Sequence, residues 1–418
     1  MRIGEFSRRF SVTAETVRFY INKGLLVPAS KNDRYAFSEQ DITDMEFLLH
    51  LKSMRFSLSE IHRIMSIKRL SNLDSAEELS DYIAILKRHK KELIREKNKL
   101  EEVIDDLTYE IQNTTGKHTV KEKRSGGVSL AFLPYLACPH CQSNLDIQNC
   151  QITGDQIMQG TLTCSCGFSA PIVNGIILGQ SGEISIYDGP DVERNCYRMM
   201  SPDLITLMQR DYQWILDKLD RTPTKGKLIL EDFVNDYCFC HANFEYMDPD
   251  ALYIVADKFP EVVAMYKNLI DRLNLPNKVL YIAAGSQLLP LRKGCVDVYI
   301  DFASNEYAIF RPGYATDALE RYFHNETFVV GSFWHLPPHA RTLEELQRQY
   351  PENWKHNFDL KYFSSYLKSH WRQVLAFEDL GFVTDAGEGD SFSYHQRGEK
   401  LGLVSYFAKG YLPAKSDA

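Results

Sequence analysis

Four cysteines carry the clearest chemistry in this sequence. Cys138-Pro-His-Cys141 and Cys164-Ser-Cys166-Gly167 are separated by 22 residues. Thiolates on two tight knuckles can share one tetrahedral ion, and a small ribbon with little core draws folding energy from it. The spacing predicts a zinc site on Cys138, Cys141, Cys164 and Cys166, with His140 and Cys150 as spare donors. The second knuckle has one spacer residue where two are usual. Four thiolates would close the coordination sphere, so the site would be structural. A second group, Cys238, Cys240 and His241, could bind metal or react. Apolar-flanked cysteines in an α/β domain are more often simply buried.

The elements that position these residues can be read from periodicity. Residues 2–10 predict a short helix with Ile3, Phe6 and Phe10 on one face. Thr13 can cap a second helix over 14–23, which Gly24 ends and Pro28 follows. Residues 29–34 read as a hairpin-like loop, and helices follow over 39–54, capped by Ser38, and over 57–68. Leu79, Leu86, Leu93, Leu100 and Leu107 then recur every seven residues. Ile83, Ile104 and Ile111 fill alternate seam positions, which Lys90 and Lys97 interrupt. A sustained heptad predicts one helix over about 75–112 that pairs with a second copy.

Residues 113–129 lack periodicity and read as a linker. From Pro190 onward, helical stretches alternate with apolar strands at 227–231, 251–256, 278–283, 296–302, 327–333 and 401–407, the pattern of an α/β sheet. The predicted organisation is 1–72 for the head, 73–113 for the pairing helix, 114–129 for the linker, 130–188 for the cysteine module and 189–418 for the α/β domain.

Bulk properties agree. The 418 residues exceed one ordinary core. A 44% hydrophobic and 25% charged composition is that of a soluble globular chain. No apolar run approaches a membrane span, no secretory signal opens the chain, and nine clustered cysteines suit a reducing compartment, so the expected place is the cytoplasm. The net charge of −8 hides an asymmetry. Residues 1–70 carry twelve Lys/Arg against eight Asp/Glu, whereas 125–418 carry 25 against 36. A basic head on an acidic body is expected when only the head meets phosphates.

The head resembles the MerR family. The carrying residues are Ile3-Gly4-Glu5-Phe6, Val12, Thr16-Val17-Arg18-Phe19-Tyr20, Lys23 to Pro28, Arg34-Tyr35, Phe37-Ser38-Glu39-Gln40-Asp41 and Phe56 to Ile61. The resemblance implies a winged helix-turn-helix that binds double-stranded promoter DNA as a homodimer and works with RNA polymerase there. It assigns Thr13, Thr16, Arg18 and Tyr20 to the recognition helix, and Arg34 and Tyr35 to the wing. The family's wing usually has an arginine directly after the tyrosine; here that place is Ala36 and the arginine stands before it.

Residues 225–310 resemble a class I methyltransferase binding S-adenosylmethionine (SAM), and the cysteine module resembles a zinc ribbon found in front of some of these enzymes. Glu231 ends strand one, Asp257 follows strand two where a ribose-binding carboxylate is expected, and Ser286 replaces the adenine-side acid before Leu289-Pro290. Leu380-Gly381-Phe382 fits the same template. The glycines expected two, four and six residues after Glu231 are Phe233, Asn235 and Tyr237. The cofactor approaches its loop too closely for side chains there. The resemblance thus implies a Rossmann-like domain with Glu231, Asp257 and Ser286 at its cofactor site and SAM binding in doubt. The expected function is a dimeric DNA-binding transcriptional regulator whose methyltransferase-like domain senses a small-molecule effector. The alternative is an active SAM-dependent methyltransferase, on RNA or a small molecule, with a DNA-binding head. An aromatic run around Trp334 to Pro338 and Trp354 to Trp371 could line a ligand cleft, with core packing as its alternative.

Overall fold

The computed structural model describes residues 1–31, 34–71, 76–116, 126–182, 184–388 and 392–412. Most of the expected linker, residues 117–125, lies outside them. The chain divides into two compact units, Met1–Val120 and Lys121–Ala418. Among the described residues no helix is long and apolar enough to cross a membrane.

The first unit is helical, with one small hairpin. Helices α1 (Ile3–Arg9), α2 (Ala14–Asn22), α3 (Glu39–Ser53), α4 (Leu58–Ser71) and α5 (Ala76–Gly116) surround strands β1 (Ala29–Lys31) and β2 (Arg34–Ala36). The starts of α2 and α3 follow their caps. Thr13 Oγ1 accepts from the Thr16 amide at 3.1 Å, and Ser38 and Asp41 form a reciprocal capping box. Phe6, Val17, Leu25, Leu48 and Ile61 form the sealed core. One ion pair ties the head together. The Arg69 guanidinium donates to the Asp44 carboxylate at 2.7 Å and to the carbonyls of Gly24 and Leu25 at 3.0 and 2.6 Å. It thereby fixes the end of α4 to α3 and to the turn after α2.

Helix α5 runs 41 residues, about 60 Å at the rise of an α-helix. Its early part leans on the head through buried Ile85 and through Tyr82 and Leu86. Leu100, Ile104, Leu107 and Ile111 instead stand 55–66% exposed along one stripe. So much apolar surface on one helix face is a surface for a partner.

The second unit is built on one mixed sheet of twelve strands. Its strands are β3 (Val128–Ser129), β4 (Asp146–Thr153), β5 (Gln156–Thr163), β6 (Ser169–Val173), β7 (Ile176–Leu178), β8 (Leu228–Asp232), β9 (Leu252–Asp257), β10 (Lys278–Ala283), β11 (Val296–Asp301), β12 (Phe323–His335), β13 (Trp371–Val383) and β14 (Leu401–Tyr411). The order is β13-β14-β12-β11-β8-β9-β10-β7-β6-β5-β3, with β4 on β5. Strands β12, β11, β8, β9 and β10 are mutually parallel, and β14 lies antiparallel between β12 and β13. This is a doubly wound, Rossmann-like methyltransferase arrangement whose strand order reverses between β8 and β11. The cysteine module is continuous with it, because β7 pairs parallel to β10 through Ile176 opposite Tyr281.

Two apolar layers cover the sheet faces. Helix Pro202–Asp220 spans one of them and carries a buried acid. Asp211, fully enclosed, accepts from Ser405 Oγ of β14 at 2.6 Å, while its other oxygen has no partner among the described residues. Burial raises its pKa to about 7. The unfolded chain ionises this acid near pH 4 while the folded chain keeps its proton. Its share of stability is therefore whole below about pH 4 and lost as the pH climbs to 7. Asp211→Asn, a neutral isostere, should flatten the fall in stability between pH 4 and 8 by about 2–4 kcal/mol, read by urea unfolding at each pH. An unchanged slope would mean that Asp211 is ionised in the fold.

Candidate functional site

Helix α2, expected as the recognition helix, presents Arg18 to solvent and Thr16 half-exposed, with Thr13 exposed at its N-cap. Tyr20 sits differently from its expected role. Its ring is 2% exposed, and its hydroxyl accepts from Lys52 Nζ of α3 at 3.2 Å, so only the edge of the phenol reaches the groove beside α2. That groove holds Thr13, Thr16, Phe19 and Leu58, and Phe19 is 42% exposed there. Periodicity does not reveal this exposed aromatic residue, which follows Arg18 on the outer face. The wing is the β1–β2 hairpin with Ser30 opposite Tyr35. Tyr35 is half-buried and packs on the head core, and the side chain of Arg34 lies outside the described residues.

In the second unit the four cysteines converge. Their sulfurs all lie within 4.8 Å of one another, with Cys138 to Cys166 at 3.4 Å and Cys141 to Cys164 at 3.5 Å. Thiolates around one tetrahedral ion stand about 3.8 Å apart, so these donors fit a metal ion with little adjustment. Each knuckle is held by backbone: the Gln142 amide donates to Cys138 O, and the Gly167 amide to Cys164 O. Gly167 adopts φ +97°, which lets the short Cys-x-Cys knuckle turn within one fewer residue. Hydrogen bonding with Ser143 pulls the Cys141 thiol down to about 6, while hydrogen bonds with Cys138 and Cys164 push Cys166 up to about 12, so the four sulfurs share their protons unevenly. Cys150 stays apart on exposed β4, and the His140 ring packs edge-on to Phe168.

The cofactor-type crevice lies past the carboxyl ends of β8, β9 and β10. Glu231, expected there, turns away: its carboxylate accepts from the Phe239 and Cys240 amides at 2.5 and 2.8 Å and caps the helix Phe239–Asn243. Asp257 is buried, and its carboxylate accepts from the Asn235 amide at 3.0 Å and the Phe259 amide at 3.0 Å. The loop that should leave room for a ribose thus occupies the acid meant for it. Phe233, in place of the first glycine, holds φ +64°, a strained choice for a bulky residue, with the Arg311 guanidinium 5.3 Å above its ring. Tyr237, in place of the third, is 3% exposed and packs edge-on to Tyr197 and Phe302 at 5.4 and 5.9 Å.

What remains open is a cleft of about 950 Å³ lined by Ser286, Gln287, Lys258, Asp188, Arg311 and Asp317, among others. Ser286 therefore meets the cleft, whereas Glu231 does not. Three groups of this region were not legible in the sequence: Lys258 and Asp188, which line the cleft, and Asp232, which does not. Asp232, directly after Glu231, is buried and raised to about 7 by burial. Lys258, directly after Asp257, is buried, lowered to about 7 by burial and then by Arg311, and pairs with buried Asp188. A second acid after strand one was the available signal for Asp232; nothing marks Asp188, which comes from a remote segment. The second cysteine group is core: Cys238 and Cys240 are sealed, and burial pushes both thiols well up. Trp334 and Trp371 likewise belong to the core.

Residues 1–68 match the model of the MerR HTH family of regulatory proteins. A mercuric resistance operon regulatory protein of Serratia marcescens is 32% identical over 115 residues, covering 26% of this chain and 75% of that protein. A regulator described as a ZntR homolog, from Haemophilus influenzae, is 30% identical over 96 residues, covering 22% and 67%. Among solved structures, that of MccD protein covers 47% of this chain and 96% of its own, with 10% identity and a TM-score of 0.38. The fold assignment of the second unit rests on its strand order.

The cysteine cluster generates a direct expectation. Elemental analysis of the purified chain should find about one divalent ion per chain, and Cys138→Ser should lose it. At a free metal concentration a thousand times the Kd, the bound ion adds about 4 kcal/mol of stability, which a chelator should remove in thermal unfolding. A metal-free chain of unchanged stability would overturn the site.

Proposed function

The chain belongs to the MerR HTH family of regulatory proteins, and from that membership we propose that it is a dimeric transcriptional regulator. It binds promoter DNA through residues 1–72, pairs through the helix over 73–113, and acts with RNA polymerase at the promoter. Thr13, Thr16 and Arg18 meet the DNA from the recognition helix, with the hydroxyl edge of Tyr20 beside them, and Arg34 and Tyr35 hold flanking backbone from the wing. The basic head supplies the phosphate attraction and Arg18 stands free to reach the groove. The exposed stripe of α5 supports a second copy as its partner. The cysteine module over 130–188 holds a structural zinc ion on Cys138, Cys141, Cys164 and Cys166, beyond the linker 114–129.

The domain over 189–418 serves as a ligand-sensing effector domain. The observation that carries this reading is the Asn235 amide on the Asp257 carboxylate, with Tyr237 buried beside it. The ribose acid is engaged and the methionine end is filled, while the half of the crevice beside Ser286 stays open to a different small molecule. A protein of this kind works in the cytoplasm.

Three measurements test these readings separately. Arg18→Ala should weaken binding to a selected operator at least about tenfold, and Leu100→Glu with Leu107→Glu should give a folded monomer by sedimentation. Full operator affinity in the first variant, or an intact dimer in the second, would refute the corresponding role. Calorimetric titration of SAM into the full chain should give no saturable heat; a micromolar Kd would establish the methyltransferase reading instead.

A further inference from the structure

Beside the open cleft lies a smaller, separate cavity of about 340 Å³, within the roughly 300–1,000 Å³ range of small-molecule sites. Its walls are rings set at right angles. Tyr350 stands edge-on to Tyr187 at 6.1 Å and 77°, to Phe310 at 5.7 Å and 84°, and to Tyr394 at 6.3 Å and 88°. Phe392 closes the same side, 6.1 Å from Tyr394. The face of an aromatic ring is the negative part of its quadrupole, so a cavity lined by five such rings offers contact to a cation.

The polar lining is acidic. Asp191, Asp236 and Glu306 all reach the cavity, and among its described lining residues none is Lys or Arg. Two of these acids have local partners. Asp191 accepts from the Asn195 and Cys196 amides at 2.8 and 3.0 Å, and Asp236 accepts from Asn235 Nδ2 at 3.2 Å. Glu306 differs: it is 6% exposed, and its Oε1 has no hydrogen-bond partner among the described residues. The hydroxyl of Tyr394, 2% exposed and in the same lining, has none either. A buried carboxylate oxygen without a partner costs free energy that a ligand can return.

We propose that this cavity binds an organic ammonium ion, held by cation–π contact with Tyr350, Tyr394, Tyr187, Phe310 and Phe392 and by charge pairing with Glu306 and Asp236. The chemistry selects the class. A neutral ligand leaves Glu306 uncompensated, an anion is repelled by three carboxyls, and a hydrated metal ion gains little from five rings. Burial, with Asp236 close by, raises Glu306 well above the usual carboxylate range, and burial with Asp191 raises Asp236 to about 6. The other titratable groups facing the cavity are Asp191, Cys196, the phenols of Tyr187, Tyr350 and Tyr394, and Asp188 in its pair with Lys258. A cation favours the ionised acids, so affinity rises with pH as these carboxyls lose their protons. If the domain is the sensor proposed above, this is the chemistry of a ligand it senses; binding itself does not rest on that reading.

The test uses the DNA-free full chain and benzyltrimethylammonium as probe, with 2,2-dimethyl-3-phenylpropanol as its uncharged counterpart. Calorimetry at pH 7.5 should show saturable binding of the cation, at least about tenfold tighter than the alcohol, and weaker by a similar factor at pH 5.5. Glu306→Gln, which keeps the shape, should cost at least about tenfold; Tyr350→Ala, which opens a wall, should also weaken binding, and thermal unfolding checks that both fold. No saturable binding up to about 10 mM, equal affinity for the alcohol, or an unaffected Glu306→Gln variant would overturn the proposal. Operator affinity with and without the cation is read separately. A cation that binds without changing it leaves this site standing and removes it from the regulatory reading.

Discussion

The second unit depends on how the chain closes the carboxyl ends of β8 and β9. In a doubly wound sheet the strand order reverses at one place, and the loops on either side part to leave a crevice. A dinucleotide-type cofactor fills that crevice only when the first loop is nearly all backbone. Here the loop after β8 carries Phe233, Asn235 and Tyr237, and it spends the space on itself: the Asn235 amide is satisfied by Asp257, Tyr237 packs against Phe302 after β11, and Phe233 is held in the left-handed region under Arg311. The backbone N–H of a buried loop needs an acceptor. Asp257 supplies one, so a carboxylate placed for a ribose becomes part of the loop's own fold.

That exchange explains which residues were legible. Strands β8, β9, β10 and β11 are short apolar runs bounded by polar turns, and their periodicity places them to within a residue. The caps at Thr13 and Ser38 and the long heptad of α5 are local patterns, and the structure follows them. Partners distant in sequence are different. Glu231 ends its strand as expected, but nothing in its neighbourhood indicates that its carboxylate caps the helix eight residues on. Tyr20 reads as a surface residue of a recognition helix until Lys52 of α3 is placed against its hydroxyl. Strand β13 escapes notice because Leu380-Gly381-Phe382 is its bulged end, where the register shifts between Asp379 and Gly381.

The cysteine module shows the same division between local and distant information. Its two knuckles are defined by spacing alone, and their sulfurs do converge. Its attachment is not, because a three-residue strand, Ile176–Leu178, is too short to be recognised by alternation. Pairing of β7 with β10 makes the ribbon the edge of the main sheet, and Leu136, Phe132 and Ile172 join the core layer under β8 and β9. A metal bound there braces the sheet at the side where Ser286 and the open cleft begin. Its removal should be felt beyond the ribbon, since Cys138 and Leu289 share one apolar layer.

Buried acids gather at the carboxyl ends of the parallel strands: Asp232, Asp257 and Asp301 end β8, β9 and β11. Burial raises all three, to about 7, 8 and 6. Each opposes folding near neutral pH in proportion to that shift, so a sheet selected for stability alone would replace them. Asp301 is engaged by the hydroxyls of Ser304 and Tyr406, and Asp257 by two amides, which offsets part of the cost. Glu306 has no such compensation at its Oε1, although it lies only five residues past Asp301 and faces a cavity rather than the core. Asp211 and Asp232 also keep carboxyl oxygens without a hydrogen-bond partner among the described residues, but of these acids it is Glu306 that lines the aromatic cavity. Rules of polar satisfaction are broken at functional sites, and the proposed ammonium ion would complete Glu306 in the aromatic cavity beside the closed cofactor loop.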